Sequence, residues 1–154
     1  MTKDVVDAAR SVLERHSREE GALLPILRDL QDELGYLPEP VFPLVAETLN
    51  ISRAEVYGVA TFYHDFCFEP RGECTITLCR AEACQSMGAA ALGERAKARL
   101  GLDWGETTAD GRVTLEQTFC LGLCACAPSA MVDGKIVGRL TPQKLDAIVA
   151  EAGR

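Results

Sequence analysis

Two pairs of cysteines stand out in the second half of the chain. Cys79 and Cys84 enclose four residues, Cys120 and Cys124 enclose three, and thirty-five residues separate the two pairs. Because each pair can bind one iron, four thiolates in this pattern suit a [2Fe-2S] cluster, in which sulfide bridges the irons. Zinc is the alternative metal, although structural zinc sites usually repeat the shorter C-x2-C spacing. The spacing therefore favours an iron–sulfur centre and leaves zinc open.

Three of the seven cysteines lie outside these pairs. Cys126 follows Cys124 by two residues and could replace a ligand, but the four-thiolate set is complete without it. Cys74 is predicted to lie on the opposite face of its strand from Cys79, which favours a buried core thiol. Cys67 lies among aromatic residues and has no assigned role.

Composition excludes several classes of function. The formal net charge is −7, with 16 Lys and Arg against 23 Asp and Glu, so a nucleic-acid partner is not expected. No apolar run is long enough to cross a membrane, and the first residues lack the pattern of a signal peptide. We therefore expect a cytoplasmic protein, in whose reducing environment seven cysteines indicate metal or redox chemistry.

The first half of the chain is predicted to be helical, and we assign residues 1–70 to an N-terminal helical domain. Apolar residues recur at helical spacing in two segments, and a short helix should follow Pro40 and end at Asn50. Ser52 and Glu55 form a capping box that predicts a fourth helix, ending near Phe62. The first two helices are expected over residues 4–16 and 23–34.

The second half changes to strand periodicity, and we assign residues 71–154 to a thioredoxin-like α/β domain. The predicted order is β-α-β-β-β-α, which makes the whole chain an α+β protein. A helix is expected over residues 83–100, and Asp133-Gly134 predicts a β-hairpin. The four strands are expected over residues 74–79, 112–119, 130–132 and 135–138, and the last helix over 142–152.

This order would bring the cysteine pairs together. If the first two strands are parallel neighbours, their carboxyl ends lie at one edge of the sheet, where Cys79 and Cys120 are placed. Cys84 would follow at the start of a helix, where the helix dipole favours a thiolate. Gly122 either aims backbone N–H groups at the sulfurs or is an ordinary turn glycine.

Three motifs resemble one family of proteins. They are Gly35-Tyr-Leu-Pro38, the run from Ala54 to Tyr63, and the C-x4-C and C-L-G-x-C pairs followed by Ala127-Pro128. They resemble the thioredoxin-like [2Fe-2S] subunits of complex I, of bidirectional hydrogenases and of NAD-dependent formate dehydrogenases. Within that group, residues 79–88, 106–111 and 124–126 are most similar to the gamma subunit of a molybdenum-containing, NAD-dependent formate dehydrogenase.

The resemblance implies a cofactor, its ligands and partners. It implies that Cys79, Cys84, Cys120 and Cys124 ligate one [2Fe-2S] cluster. It also implies a beta subunit that binds FMN and NAD, and an alpha subunit that carries the molybdenum cofactor, with further iron–sulfur clusters on these partners. Neither nucleic acid nor a membrane is expected as a partner.

The resemblance implies an electron-transfer subunit of a soluble NAD-dependent formate dehydrogenase, with its [2Fe-2S] cluster near the flavin of the diaphorase subunit. Other classes of function compete with this one. The sequence contains no acid–base or nucleophile constellation, so we expect no substrate site on this chain. A thiol-redox enzyme would need a C-x-x-C motif, and Cys79 and Cys84 are too far apart. A structural zinc-binding adaptor remains as the alternative of a different class, as does the equivalent subunit of complex I or a hydrogenase within the family.

Overall fold

The computed structural model describes residues 3–16 and 18–153. Contacts between residues divide the chain into two units, Met1–Pro70 and Arg71–Arg154. Positions 1, 2, 17 and 154 belong to the domain ranges predicted from the sequence but lie outside the described residues. In the part that is described, no helix is both long and apolar enough to cross a membrane.

The first unit contains four α-helices, and the sequence predicted each of them. The Ser52 hydroxyl accepts a hydrogen bond from the Glu55 N–H at 3.2 Å, while the Glu55 carboxylate accepts the Ser52 N–H at 2.8 Å. The Ser52 N–H, and after it the Ser52 hydroxyl, lower the pKa of Glu55 by donating to its carboxylate. The reciprocal backbone bonds confirm the capping box. The helices are α1 (Lys3–Arg15), α2 (Leu23–Leu34), α3 (Phe42–Leu49) and α4 (Arg53–Phe62).

One apolar core joins these four helices. Ile26, Leu27 and Leu30 of α2 are fully buried, as are Val45 of α3 and Val56 of α4. Burial of side chains of this size is worth about 1.5–3 kcal/mol each, so these five residues contribute strongly to this unit's stability. The N-terminal unit therefore has a core of its own.

The second unit is built on a mixed five-stranded sheet with the order β2-β3-β1-β4-β5. Strands β1 and β3 are parallel, with Cys74 opposite Val113 and Cys79 opposite Thr118, and the remaining pairs are antiparallel. The parallel pair is the one that the sequence predicted. The strands are β1 (Cys74–Cys79), β2 (Glu106–Thr107), β3 (Val113–Thr118), β4 (Ala130–Val132) and β5 (Lys135–Val137).

The predicted helix over residues 83–100 is wrong, because two helices occupy this segment. Helix α5 (Glu82–Ser86) ends before Gly88, whose φ of +92° is left-handed, and α6 (Ala89–Leu100) begins after it. A glycine adopts this conformation without the steric cost that a Cβ would bring. The break separates α5 from α6, so that Cys84 lies in a short helix of its own.

Helix α6 and the last helix, α7 (Pro142–Ala152), pack together on the sheet. Leu92 of α6 and Leu145 of α7 share one buried cluster with Ile76 of β1 and Leu115 of β3. On the helix surfaces, Arg95 Nε donates to the Asp146 carboxylate at 2.8 Å. This face of β1 is therefore apolar and closed, which leaves the opposite face for Cys79.

A hairpin and a short edge strand complete the sheet. Asp133 and Gly134 both have positive φ, +46° and +77°, as the predicted two-residue hairpin between β4 and β5 requires. Strand β2 was not predicted from the sequence. It has only two residues and pairs at the sheet edge with β3, too short a segment to show an alternating pattern.

Candidate metal centre

Cys79 ends strand β1, and its thiol is surrounded by hydrogen-bond donors. The residue is 3% exposed, and its N–H donates to the Ser129 carbonyl at 3.0 Å. Burial acts to raise the pKa of Cys79, but hydrogen bonds from the Ala81 N–H, the Cys84 thiol, the Leu121 N–H and the Ser129 hydroxyl together lower it. This environment stabilises a thiolate, which is the form that binds metal.

Cys84 lies within α5 and is 2% exposed. Its Sγ is 3.5 Å from the Ser129 hydroxyl and contacts Cys79, with which it forms a small buried cluster. The chain between the two cysteines turns sharply, since the Gln85 side chain donates to the Arg80 carbonyl at 2.7 Å. Cys79 and Cys84 thus form the buried pair of the site.

Cys120 and Cys124 form a second, exposed pair in the loop after β3. Gly122 lies between them with φ of +72°, and its N–H donates to Cys120 Sγ at 3.3 Å. Of the two alternatives predicted for Gly122, this contact favours a donor to sulfur. Cys124 begins a short 3-10 helix, Cys124–Cys126, which directs the chain back towards β4.

Electrostatics show that the two pairs are neighbours. The negative charge of Cys120, followed by a hydrogen bond to the same residue and burial, raises the pKa of Cys124. The charges of Cys84 and Cys79 raise it further. The negative charges of all three other cysteines therefore act on the Cys124 thiol. A positive metal centre among the four sulfurs would remove this repulsion between thiolates.

The arrangement fits a [2Fe-2S] cluster by the chemistry of its donors. Among the described residues, no three His, Cys, Asp or Glu side chains are grouped as ligands of one metal ion. Cys79 and Cys84 share one buried cluster, and Cys120 is the largest influence on the pKa of Cys124, so the thiols are arranged as two pairs. A [2Fe-2S] cluster takes two thiolates on each iron. Backbone N–H groups directed at the sulfurs of Cys79 and Cys120 supply the donors that such clusters use.

Cys126 and Cys74 have other surroundings. Cys126 packs against the chain after β5, where a Cβ added to Gly138 would lie 2.8 Å from the Cys126 Cβ. Cys74 was predicted to be a buried core thiol, and the structure places it partly buried and packed against the core of the second unit. Burial and a hydrogen bond to Asp133 raise the pKa of Cys74 to about 11, so it is a protonated thiol at neutral pH.

Cys67 belongs to the N-terminal unit and fixes a loop there. The Cys67 N–H donates to the Gln31 side-chain carbonyl at 2.8 Å, and the Cys67 carbonyl accepts the Leu37 N–H at 2.7 Å. The Gln31 amide group also donates to the Asp65 carbonyl at 2.8 Å. These contacts explain Cys67 as part of the loop packing after α4.

Ser129 is the residue at this site that the sequence did not reveal. It precedes β4, is 2% exposed, and contacts Cys84 only because β4 pairs antiparallel with β1. A serine at the start of an apolar strand was the only local sign. Pairing of β1 with β4 is a long-range contact, and no spacing in the sequence reports it.

Known proteins resemble this chain over most of its length. A family model, the thioredoxin-like [2Fe-2S] ferredoxin, matches residues 9–153. The chain is 37% identical over 139 residues to HndA, a subunit of the NADP-reducing hydrogenase of Solidesulfovibrio fructosivorans, covering 90% of this chain and 81% of that one. It is also 37% identical over 147 residues to the E 2 subunit of the NADH-quinone oxidoreductase of Rhizobium meliloti, covering 96% and 86%.

A solved structure contains a similar fold as part of a larger chain. An NAD+-reducing [NiFe]-hydrogenase in the air-oxidized state superposes with a TM-score of 0.74 at 26% identity. The match covers 86% of this chain but only 23% of the hydrogenase chain. With the family match and the two relatives, this similarity confirms the predicted thioredoxin-like α+β fold. The chain belongs to the thioredoxin-like [2Fe-2S] ferredoxin family, and its cofactor is a [2Fe-2S] cluster.

Proposed function

We propose that Cys79, Cys84, Cys120 and Cys124 are the four ligands of this cluster. The observation that supports the assignment best is the packing of Leu121, the residue after Cys120, against the buried cluster that contains Cys79 and Cys84. It joins the loop that holds the second cysteine pair to the strand that holds the first. When bound, the cluster supplies one-electron transfer, and the protein contributes thiolates, N–H donors and partial exclusion of water.

The two pairs have different roles in this proposal. Cys79 and Cys84 are buried and anchor the site to β1 and α5, whereas Cys120 and Cys124 are exposed. Phe119, adjacent to Cys120, is itself 68% exposed. A redox partner can therefore approach the site from the loop after β3, where Cys120 and Cys124 are exposed.

We propose that the N-terminal unit serves assembly with a partner and leaves cluster ligation to residues 71–154. Its four large exposed rings support this assignment: Tyr57 is 52% exposed, Phe62 73%, Tyr63 42% and Phe68 38%. Aromatic side chains are enriched where proteins bind one another. Phe62 packs edge-on against Tyr63, with ring centroids 5.2 Å apart, so the rings present a preformed surface.

At the level of the complex, we propose an electron-transfer subunit of a cytoplasmic, NAD-dependent formate dehydrogenase. The partners would be a beta subunit that binds FMN and NAD and a molybdenum-containing alpha subunit. Support for formate comes from the sequence motifs at residues 79–88, 106–111 and 124–126. The seven cysteines of the chain, which indicate metal or redox chemistry in a reducing compartment, support the cytoplasm.

Two relatives favour a second candidate function within the same family. HndA is a subunit of an NADP-reducing hydrogenase, and the Rhizobium meliloti protein is a subunit of NADH-quinone oxidoreductase. The equivalent subunit of a hydrogenase or of complex I would use the same four cysteines. The difference lies in the partner subunits and not in the site on this chain.

Isolation of the native complex tests the proposal. The chain would be tagged in its own host and purified gently, and the complex assayed for NAD reduction with formate, NAD reduction with hydrogen, and NADH oxidation with quinone. Formate-dependent NAD reduction that follows the tag would support formate dehydrogenase. Quinone reductase or hydrogenase activity without formate activity would overturn that assignment in favour of the second candidate.

A further inference from the structure

Ser129 places a hydroxyl group beside the buried cysteine pair. Its Oγ is 3.5 Å from Cys84 Sγ, within the buried cluster that Cys84 forms with Cys79. The residue is 2% exposed, so water does not compete for this hydroxyl. The contact is specific to the buried pair, since the exposed pair receives its donor from the Gly122 N–H.

The backbone holds Ser129 in one position. Its carbonyl accepts the Cys79 N–H at 3.0 Å, and the next residue, Ala130, is paired with Leu78 in the β1–β4 register. On the other side, the Pro128 carbonyl accepts the Leu140 N–H at 2.9 Å. Because the backbone is fixed at these three points, the Ser129 side chain starts from a fixed position beside the Cys84 sulfur.

The direction of this hydrogen bond follows from metal ligation. A thiol can donate or accept, but a cysteine that is bound to iron is a thiolate and can only accept. With Cys84 as a ligand, the proton between the two side chains must therefore belong to the Ser129 oxygen. A buried donor is thus directed at a ligand sulfur.

We propose that the Ser129 hydroxyl donates a hydrogen bond to the Cys84 thiolate and thereby raises the reduction potential of the site. This inference rests on the proposed assignment of Cys84 as a ligand. One electron from the partner adds negative charge that the ligand sulfurs share, while the hydroxyl proton stays on oxygen and no bond breaks. The hydrogen bond is stronger to the more negative sulfur, so it stabilises the reduced state more than the oxidised state.

The test compares the midpoint potentials of full-length variants, titrated by visible absorbance or by electron paramagnetic resonance. Ser129→Ala removes the hydroxyl, and we expect its potential to be more negative than that of the wild type. Ser129→Thr keeps a hydroxyl and should restore most of the shift. Ser86→Ala is the matched control, because the Ser86 hydroxyl lies in the same helix as Cys84 but donates to the Ala83 carbonyl at 2.9 Å.

Several outcomes would overturn the role of Ser129. An unchanged potential in Ser129→Ala at full iron content would do so, as would equal shifts in Ser129→Ala and Ser86→Ala. If Ser129→Ala does not retain iron, Ser129→Cys decides instead: its weaker S–H donor should lower the potential, and an unchanged value contradicts the proposal. Full iron retention by Cys84→Ser is a separate result, which would refute the ligand assignment itself.

Discussion

Cys79 and Thr118 lie opposite each other as the last residues of the parallel strands β1 and β3. Both strands end at the same edge of the sheet. Just beyond them, the Arg80 N–H donates to the Thr118 carbonyl at 2.7 Å. Cys120 follows Thr118 by two residues, which places the second pair of thiols beside the first. The register of one pair of strands therefore brings to one edge of the sheet cysteines that are far apart in sequence.

Replacing a proposed ligand should have a different effect from replacing Cys126. We expect Cys84→Ser to lose most of its iron, because a buried hydroxyl is a far poorer iron ligand than a thiolate. Cys126→Ser is the control, and it should keep nearly the wild-type iron content. Iron, acid-labile sulfide and the visible spectrum measure both. Equal losses in the two variants would show that Cys126 takes part in ligation.

The Gly122 N–H should help to retain the cluster. Gly122→Ala forces a Cβ into a left-handed conformation, at a cost of about 1 kcal/mol, and disturbs the donor to Cys120. Gly111→Ala is the matched control, since Gly111 has the same φ of +72° with no atom near its Cβ position. Both variants should melt at lower temperature, but only Gly122→Ala should bleach faster with a chelator. Equal bleaching rates would assign the effect to backbone strain alone.

His16 should make the stability of the N-terminal unit depend on pH. Its ring nitrogens lie 2.7 Å from the Glu19 carboxylate and 2.8 Å from the Asp29 carboxylate, and hydrogen bonds to Glu19 and then Asp29 raise the pKa of His16 above 6.5. A raised folded-state pKa gives stability that is complete below the unfolded-state pKa. That stability is lost as pH rises through the folded-state value.

The measurement compares the wild type with His16→Gln. At about pH 5.5 we expect the wild type to melt at a higher temperature than His16→Gln. This difference in melting temperature should shrink towards about pH 9 as His16 loses its proton. The lowered pKa of Asp29, caused chiefly by the hydrogen bond to His16, keeps the carboxylate charged across this range. A difference in melting temperature that stays constant with pH would contradict a charged His16.

Residues 71–154 should hold the cluster without the helical unit. All four proposed ligands and a separate apolar core lie in this segment. We expect the expressed segment to fold and to show a reducible [2Fe-2S] spectrum, and the same segment with Cys84→Ser to show none. A folded segment without a reducible cluster would mean that residues before 71 contribute to ligation.

Local signals predicted those elements whose causes are local. The capping box of Ser52 and Glu55 marks the start of α4, and Asp133-Gly134 marks the hairpin between β4 and β5. Both signals depend on residues that are close together in sequence. The helix break at Gly88 was missed, since a single glycine within an alanine-rich segment does not report its own φ. The break depends on how α5 and α6 pack.

The cysteine pairs could be predicted as a site because their spacing and the parallel strands both place them at one edge. Which pair is buried could not be predicted. Cys79 and Cys84 are covered by Ser129 and Ala89, and these contacts arise only after β4 and α6 have packed around β1. Burial of a site depends on long-range packing, which spacing along the chain does not encode.

Iron and acid-labile sulfide per chain, measured on protein purified without oxygen, test the central claim most directly. If the four cysteines bind a [2Fe-2S] cluster, iron and sulfide will be present in equal amounts, about two of each per chain, and the protein will be red-brown. A colourless protein that contains zinc and no sulfide would contradict this account and would assign the four cysteines to a structural zinc site.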